Sequence, residues 1–260
     1  MRFVQLSDPH LVVPEKQPVL GHDTVARLRA AVDAVNRLRP APDFVILTGD
    51  LTNDEQEASY TLVKSILSRL DMPLYPAVGN HDARLPFRRI ILEEPDPKPD
   101  RVHYAFDRDG CRLAVLDTLD DGKVTGSIDD AQLDWLDTLL RDDPEPPTVV
   151  CCHHPPVPVG VAWMDHLMLQ EADRLLRVLD RHPSVRWVLC GHVHSPFCID
   201  RGRVTYFTAP SVSFQFRTEP LPPPAERPAS LLSTDPPGFR VVDLRDGVFE
   251  TSLHTIVPVQ

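Results

Sequence analysis

Short apolar runs alternate with amphipathic patterns along the first two thirds of the chain, and this alternation limits the possible folds most. Each run reads as a buried strand, and the runs lie at 3–6, 44–47, 74–78, 113–116, 149–152 and 185–190. Between them, apolar residues recur at spacings of three and four, which predicts helices around 25–38, 63–70, 133–140 and 175–179. Strands that alternate with helices predict an α/β fold with mostly parallel pairing.

The last third of the chain predicts two more strands, at 204–207 and 239–244. The segment 218–238 between them is rich in proline, which predicts a loop rather than a helix or a central strand. The sequence has no internal repeat and no clear linker. We therefore expect a single domain, 1–260, with a proline-rich loop at about 218–238, because a chain of 260 residues can bury one sizeable core.

The charge and the cysteines bear on partners and location. A formal net charge of −11 argues against a broad electrostatic contact with nucleic acid or an anionic membrane. No apolar run approaches the ~18 residues of a membrane span, and MRFVQLSDPH lacks the layout of a signal peptide. The five cysteines show no CxxC spacing, which is typical of buried free thiols. We expect a cytoplasmic protein.

Five of the predicted strands end in residue types that bind metals. The segments that follow them are Ser7-Asp8-Pro9-His10, Gly49-Asp50, Gly79-Asn80-His81-Asp82, His153-His154-Pro155-Pro156 and Gly191-His192-Val193-His194. In open α/β sheets, functional groups gather beyond the carboxyl ends of the strands, so these five segments are expected to share one site.

Seven side chains are the candidate metal ligands, namely Asp8, His10, Asp50, Asn80, His153, His192 and His194. Neutral imidazoles and carboxylates suit Mn, Fe, Zn or Co, and seven ligands are too many for one four-coordinate ion. Two ions that share a bridging carboxylate would fit the set. Two divalent ions bring about +4 against about −2 from two carboxylates, so the pocket would attract a phosphate within an acidic protein.

The ordered motifs D-x-H, G-D, G-N-H-D, H-H-P-P and G-H-x-H, which span residues 8 to 194, resemble those of the calcineurin-like metallophosphoesterase superfamily. "GDLTN" followed by Tyr60, and "HHPPVPVG" followed by Met164-Asp165, are similar to the bacterial class III cyclic nucleotide phosphodiesterase and glycerophosphodiesterase branch. The resemblance implies a four-layer αββα sandwich with two mixed β-sheets. It also implies a homodimer or a higher homo-oligomer, since self-association is common in this branch.

The resemblance assigns roles to the candidate residues. Asp8, His10 and His194 would bind the first metal, and Asn80, His153 and His192 the second, with Asp50 bridging them. His81 would be catalytic, protonating the leaving-group oxygen or stabilising charge on the phosphoryl group, and Asp82 would orient its neighbours. The implied reaction is hydrolysis of small phosphodiesters, cyclic nucleotides (cyclic AMP, cyclic GMP or 2′,3′-cyclic) or glycerophosphodiesters, by attack of a metal-bound hydroxide.

Residues outside these motifs allow more than one interpretation. His154 is either structural or substrate-lining, and His22 follows Gly21 in a loop that could form the rim of the pocket. Phe214 and Phe216 either line the pocket or form one face of a strand. Asp117 also follows a predicted strand, and we expect it to form structural hydrogen bonds.

The motifs and the net charge fit several other functions less well. A protein phosphatase of this superfamily would carry G-D-x-V-D-R-G, whereas this chain has Gly49-Asp50-Leu51-Thr52-Asn53 and lacks that arginine. A purple acid phosphatase would place a tyrosine three residues after the bridging aspartate, where this chain has Asn53. The net charge gives no hint of the basic path that a repair nuclease needs. A broad phosphomonoesterase and a metal-stabilised interaction module stay open, although no ligand position is missing.

Overall fold

The computed structural model describes residues 1–219, 231–245 and 247–256, and these ranges contain eleven strands and six α-helices. The strands are β1 (Arg2–Leu6), β2 (Phe44–Thr48), β3 (Leu74–Ala77), β4 (Tyr104–Arg108), β5 (Cys111–Val115), β6 (Thr148–Cys152), β7 (Val185–Cys190), β8 (Cys198–Arg201), β9 (Val204–Thr208), β10 (Gly238–Arg245) and β11 (Val248–Thr255). The helices are α1 (Thr24–Asn36), α2 (Glu57–Leu67), α3 (Arg84–Pro86), α4 (Asp130–Asp142), α5 (Ala162–Asp165) and α6 (Asp173–Arg181). A 3₁₀ turn at Pro14–Lys16 and a π-helical turn at Phe87–Ile91 complete them.

The strands form two mixed sheets, as predicted. The five-stranded sheet has the order β11-β10-β1-β2-β3, in which β1, β2 and β3 are parallel and β10 and β11 are antiparallel. The six-stranded sheet has the order β4-β5-β6-β7-β9-β8, with a parallel centre and an antiparallel strand at each edge.

Three apolar clusters show how the layers stack. The inner faces of both sheets meet in a cluster that includes Phe3, Ile46 and Leu189. The outer face of the five-stranded sheet packs against α1 and α2, and the outer face of the six-stranded sheet packs against α4 and α6. Helix α1 packs there because its apolar residues form one stripe, which is buried. The helix begins after Asp23, whose side chain caps the N-terminus by accepting from Ala26 N.

The structure confirms the eight strands and four helices predicted from the sequence, with shifts of a few residues at their ends. It also contains β4, β8 and β11, which the sequence analysis missed. These are edge strands, and the residues of β8 and β11 are largely exposed, so they lack the continuous apolar run that marks a central strand.

Of the predicted proline-rich loop at 218–238, residues 220–230 lie outside the described ranges. Residues 231–237 contain no helix or strand, and Leu232 forms an isolated bridge with Phe216. Cys111, Cys151, Cys152 and Cys190 are buried free thiols as expected, whereas Cys198 is exposed. Within the ranges given above, the structure has no helix with the length and apolarity that crossing a membrane requires.

Candidate metal centre

The structure brings the seven predicted ligands together where the two sheets meet. Asp8, His10, Asp50 and Asn80 follow the carboxyl ends of β1, β2 and β3, whereas His153, His192 and His194 follow β6 and β7. The sheets are joined at this end, because His153 Nδ1 lies 2.7 Å from the main-chain oxygen of Thr48, the last residue of β2. Each sheet therefore contributes one part of a single cluster.

The backbone is left-handed at five of the seven positions. The φ angles are 55° at Asp8, 46° at His10, 53° at Asp50, 69° at His192 and 50° at His194. Residues other than glycine rarely adopt this conformation, and such strain is concentrated at functional sites. The sharp turns aim successive side chains back into the space between the sheets.

Two glycines leave room for these turns. Gly49 has a φ of 95°, and a Cβ atom there would lie 2.5 Å from His153 Nδ1. A Cβ atom on Gly79 would overlap the carboxylate of Asp50. The glycines of the G-D and G-N-H-D motifs are thus needed for the close approach of the loops.

Each of the four predicted histidine ligands places one ring nitrogen against an oxygen acceptor that lies outside the cluster. The pairs are His10 Nδ1 with Asn53 Oδ1 at 3.0 Å, His153 Nδ1 with Thr48 O at 2.7 Å, His192 Nε2 with Leu167 O at 2.9 Å and His194 Nδ1 with Phe214 O at 2.7 Å. A carbonyl oxygen only accepts, so these ring nitrogens carry a proton, and in a neutral ring the opposite nitrogen carries a lone pair.

Those opposite nitrogens face further acceptors. His10 Nε2 and His194 Nε2 are 3.0 Å apart, and Asn80 Oδ1 lies 3.1 Å from His153 Nε2 and 3.0 Å from His192 Nδ1. Asp50 Oδ2 is 3.4 Å from both His10 Nε2 and His153 Nε2. Lone pairs do not attract one another, so cations between these atoms would stabilise the arrangement.

The contacts divide the cluster into two groups that meet at Asp50. The first group is Asp8, His10 and His194, since Asp8 Oδ1 lies 3.4 Å from His194 Nε2. The second group is Asn80, His153 and His192. Asp8 Oδ2 is buried and has no hydrogen-bond partner, so one carboxylate oxygen is also left for a cation. The donor set therefore fits two metal ions.

Burial and charge tune the protonation of these groups. Burial lowers the pKa of His10 to about 3 and that of His192 to about 3, so both rings are neutral at pH 7, which is the form that binds metals. Burial opposes charge on both members of the Asp50–His153 pair, but the Asp50 carboxylate raises the pKa of His153 to about 9. The charged His153 ring in turn holds the pKa of the Asp50 carboxyl well below its usual range, so His153 gives up this proton when a metal ion replaces it. The centre thus attracts positive charge strongly.

A cavity of about 470 Å³, including its open mouth, reaches this cluster from solvent. Six predicted site residues line it, namely His10, Asp50, Asn80, His81, His192 and His194. Asp8 and His153 lie below them and are fully buried.

His81 occupies the cavity next to the two groups. Its main-chain N–H donates to Asp50 Oδ1 at 2.8 Å, and its ring packs edge-on against His10 with centroids 4.8 Å apart. The ring forms no hydrogen bond with any residue of the described ranges, so it is available to a bound molecule. A ring nitrogen also lies within 4.8 Å of ligand atoms of His10 and Asp50, so coordination is the competing role.

His154 and His22, for which substrate-lining roles stay a prediction, are not among the residues that line the cavity. The His154 ring is fully buried, and both of its nitrogens are engaged, by Thr118 Oγ1 at 2.8 Å and Val124 O at 3.1 Å. His22 stacks on Phe214 with centroids 5.9 Å apart, and Phe214 in turn packs against His10. Both histidines contact residues next to the cavity rather than its space.

Asp82 ties the loop of Asp50 to the loop of Asn80. Its carboxylate accepts from Gly79 N at 2.9 Å, Leu51 N at 3.1 Å, Thr52 N at 3.3 Å and the Tyr60 hydroxyl at 2.9 Å. The Tyr60 oxygen accepts from Ala83 N at 2.7 Å, which extends the tie to α2. We call this set the loop clamp. Asp117 forms structural hydrogen bonds in the same manner, with Arg84, Val102 and Leu119.

The sequence did not reveal the outer partners of the ligand rings. Asn53 was considered only as the position of an absent tyrosine, yet it accepts from His10. The carbonyls of Leu167 and Phe214 hold His192 and His194, and main-chain oxygens leave no trace in a sequence. Trp163 also lines the cavity, and its place next to Met164 in the motif region is the only indication the sequence contains.

Known proteins of several kinds are similar to this chain. A 3′,5′-cyclic-nucleotide phosphodiesterase of Nostoc sp. is 31% identical, with 98% of this chain and 92% of that protein covered. A 3′,5′-cyclic adenosine monophosphate phosphodiesterase of Pseudomonas aeruginosa is 33% identical, with 98% and 89% covered. A glycerophosphodiester phosphodiesterase of Enterobacter lignolyticus is 31% identical, with 83% and 78% covered.

A solved structure shares the fold. The crystal structure of a dimetal phosphatase from Danio rerio superposes with a TM-score of 0.69 at 17% identity, and 99% of each chain is covered. Residues 1–196 match the family described as calcineurin-like phosphoesterase, and these residues include all seven predicted ligands. The chain belongs to the calcineurin-like phosphoesterase family.

Proposed function

We propose that this protein is a phosphodiesterase that depends on two metal ions and hydrolyses small phosphodiesters, either cyclic nucleotides or glycerophosphodiesters. One observation carries the proposal. Seven side chains turn metal-binding nitrogen and oxygen atoms toward one another, in two groups joined by Asp50, at the base of an open cavity. The names of the relatives support this substrate class. Because both sheets contribute to the cluster, we also propose that the chain is one domain.

In this proposal each group of ligands holds one ion. The first ion would be held by Asp8, His10 and His194, and the second by Asn80, His153 and His192. Asp50 would contact both ions. Manganese, iron, zinc or cobalt suits such imidazole and carboxylate ligands. Bound metals supply positive charge to the phosphoryl oxygens and make a hydroxide nucleophile available at neutral pH.

The chain itself positions the reacting groups. Asn53 and the carbonyls of Thr48, Leu167 and Phe214 hold one proton of each ligand ring on its outer nitrogen, so the inner nitrogens point into the cluster and would bind the metals. His81 lies beside the cluster in the open cavity and donates a proton to the leaving alkoxide. The loop clamp keeps Asn80 and His81 at a constant position relative to Asp50.

The charge of the cavity supports a diester rather than a monoester. No lysine or arginine lines it among residues 1–219, 231–245 and 247–256. A monoester phosphate carries a charge of about −1.5 to −2 near pH 7, whereas a diester carries a single negative charge. A substrate with a second negative charge would have no cationic side chain to pair with there.

The test is a substrate panel on protein that has been stripped of metal and reloaded with Mn²⁺, Zn²⁺, Co²⁺ or Fe²⁺. We expect metal-dependent release of p-nitrophenol from bis(p-nitrophenyl) phosphate, faster than from p-nitrophenyl phosphate, and turnover of cyclic AMP or a glycerophosphodiester. Asp50→Ala serves as the inactive control. A reloaded protein with two bound ions and no diester turnover would disprove the proposal.

A further inference from the structure

Half of the residues that line the cavity are apolar. They are Val124, Trp163, Met164, Leu167, Val193 and Phe216, which we call the apolar wall. The Val124 side chain is 49% exposed, and Trp163 and Phe216 are half-buried, so part of each faces open space. Exposed apolar side chains that converge on a concave site are typical of a surface that binds a ligand.

The aromatic rings of this wall adjoin the metal ligands. Phe216 stacks on His194 with ring centroids 4.4 Å apart and an angle of 30° between the planes. Trp163 packs edge-on against Phe216 with centroids 5.7 Å apart. A group that rests on these rings would therefore belong to a molecule whose phosphorus lies at the ligands.

The wall is held in place before any ligand binds. Val124 is fixed through its carbonyl oxygen, which lies 3.1 Å from His154 Nε2, and Leu167 is fixed by its bond with His192. Below the rings, Val159, Val161 and Met168 form a buried cluster with Met164 and Val193. A preformed wall costs little ordering entropy when a ligand binds.

We propose that the apolar wall binds the nucleobase of the substrate through Trp163 and Phe216, so that this protein prefers nucleotide phosphodiesters to glycerophosphodiesters. The inference rests on the proposed phosphodiesterase function and names its substrate class. A flat base buries apolar surface by stacking on aromatic side chains, whereas glycerol hydroxyls would lose hydrogen bonds to water against an apolar wall. The buried Trp163 indole N–H has no partner in the described part of the chain and is an uncommitted donor beside the cavity.

The first test compares two substrates on metal-loaded enzyme. In Trp163→Ala and Phe216→Ala, we expect kcat/KM for cyclic AMP to fall by about 5- to 150-fold, the range measured for loss of base stacking. The value for bis(glycero) phosphate, which has no aromatic group, should change by less than about 3-fold. Trp163→Phe keeps an aromatic face and should restore most of the cyclic AMP activity.

Two controls separate recognition from misfolding. Trp135→Phe alters a tryptophan of α4 that packs against His103 outside the cavity. It should leave kcat/KM unchanged for both substrates. Because Trp163→Ala alone could disturb the segment around α5, the Phe216→Ala variant tests the same wall from another segment. An equal loss for both substrates in both variants, or no loss for either, would overturn the inference.

The second test measures binding without hydrolysis. Cyclic AMP added to metal-depleted protein should quench tryptophan fluorescence in the wild type and in Trp135→Phe, but not in Trp163→Phe, and bis(glycero) phosphate should not quench it. Quenching without any diester turnover by the loaded enzyme would keep the base site and reject the phosphodiesterase. Diester turnover without quenching, together with an unchanged ratio of kcat/KM for cyclic AMP to that for bis(glycero) phosphate in the variants, would keep the phosphodiesterase and reject the base site.

Discussion

The two ligand groups of the candidate metal centre are built from the same residue types but are supported differently. In the second group, the outer nitrogens of His153 and His192 bond to main-chain carbonyls. In the first group, His194 bonds to a carbonyl, but His10 bonds to the side chain of Asn53. A main-chain acceptor survives any substitution at its position, whereas a side-chain acceptor does not. The first group is therefore the one that a single substitution outside the ligand set can weaken.

Asp50→Ala should have the largest effect, because it removes the carboxylate that contacts both His10 and His153. We expect both metal sites to weaken and diester hydrolysis to fall by more than the roughly 10–100-fold that loss of a supporting residue costs. Metal content by mass spectrometry and hydrolysis of bis(p-nitrophenyl) phosphate would measure this. Asp142→Ala, at the exposed end of α4, is the control. A variant that retained two ions would contradict the bridging position.

His81→Ala should separate chemistry from metal binding. If His81 donates a proton to the leaving group, the variant keeps both ions and loses about 10²–10⁴-fold in kcat. The loss should be greatest for cyclic AMP, whose alkoxide leaving group needs the proton, and smaller for bis(p-nitrophenyl) phosphate. Loss of one ion from the variant would mean that His81 is a ligand instead.

Asn53→Ala tests the difference between the groups directly. Without the Asn53 oxygen, His10 loses the partner that holds its outer proton, and affinity at the first site should fall by about 10–100-fold. Titration with Mn²⁺ should then show two unequal sites, with the second unchanged. Asn36→Ala removes a comparable asparagine at the end of α1, far from the centre, and should leave both sites intact. Equal weakening of the two sites would show that Asn53 supports the centre as a whole.

Tyr60→Phe alters the loop clamp next to Asn80 and should have the smallest effect on metal binding. It removes one donor from the buried Asp82 and leaves Ala83 N without its acceptor, at a cost of about 1–3 kcal/mol in the free energy of unfolding. Affinity at the second site should fall by less than about 10-fold. Tyr104→Phe loses one hydrogen bond to Pro76 O and should cost stability without a change in metal affinity. Urea unfolding and metal titration distinguish the two variants.

Much of the candidate site could be predicted because its chemistry sits in motifs at strand ends. Asp8, Asp50 and His153 each follow an apolar run, and parallel strands bring their carboxyl ends together whatever the loops do. The sequence could not decide between a structural and a substrate-lining role for His154, nor whether His22 lies at the rim. A histidine beside a ligand has the residue type of the site, but whether its ring faces the cavity depends on contacts such as those with Thr118 and Val124.

The sequence by itself determined the α/β class, the central strands and the seven ligand candidates, because apolar periodicity and strand-end chemistry are local properties. Only the tertiary structure decided which carbonyls hold the outer protons of the ligand rings and which apolar side chains form the wall. Thr48 at the end of β2 contacts His153 of the other sheet, and Phe216 after β9 stacks on His194 after β7. Contacts between segments so distant in the chain depend on packing, which no local pattern encodes.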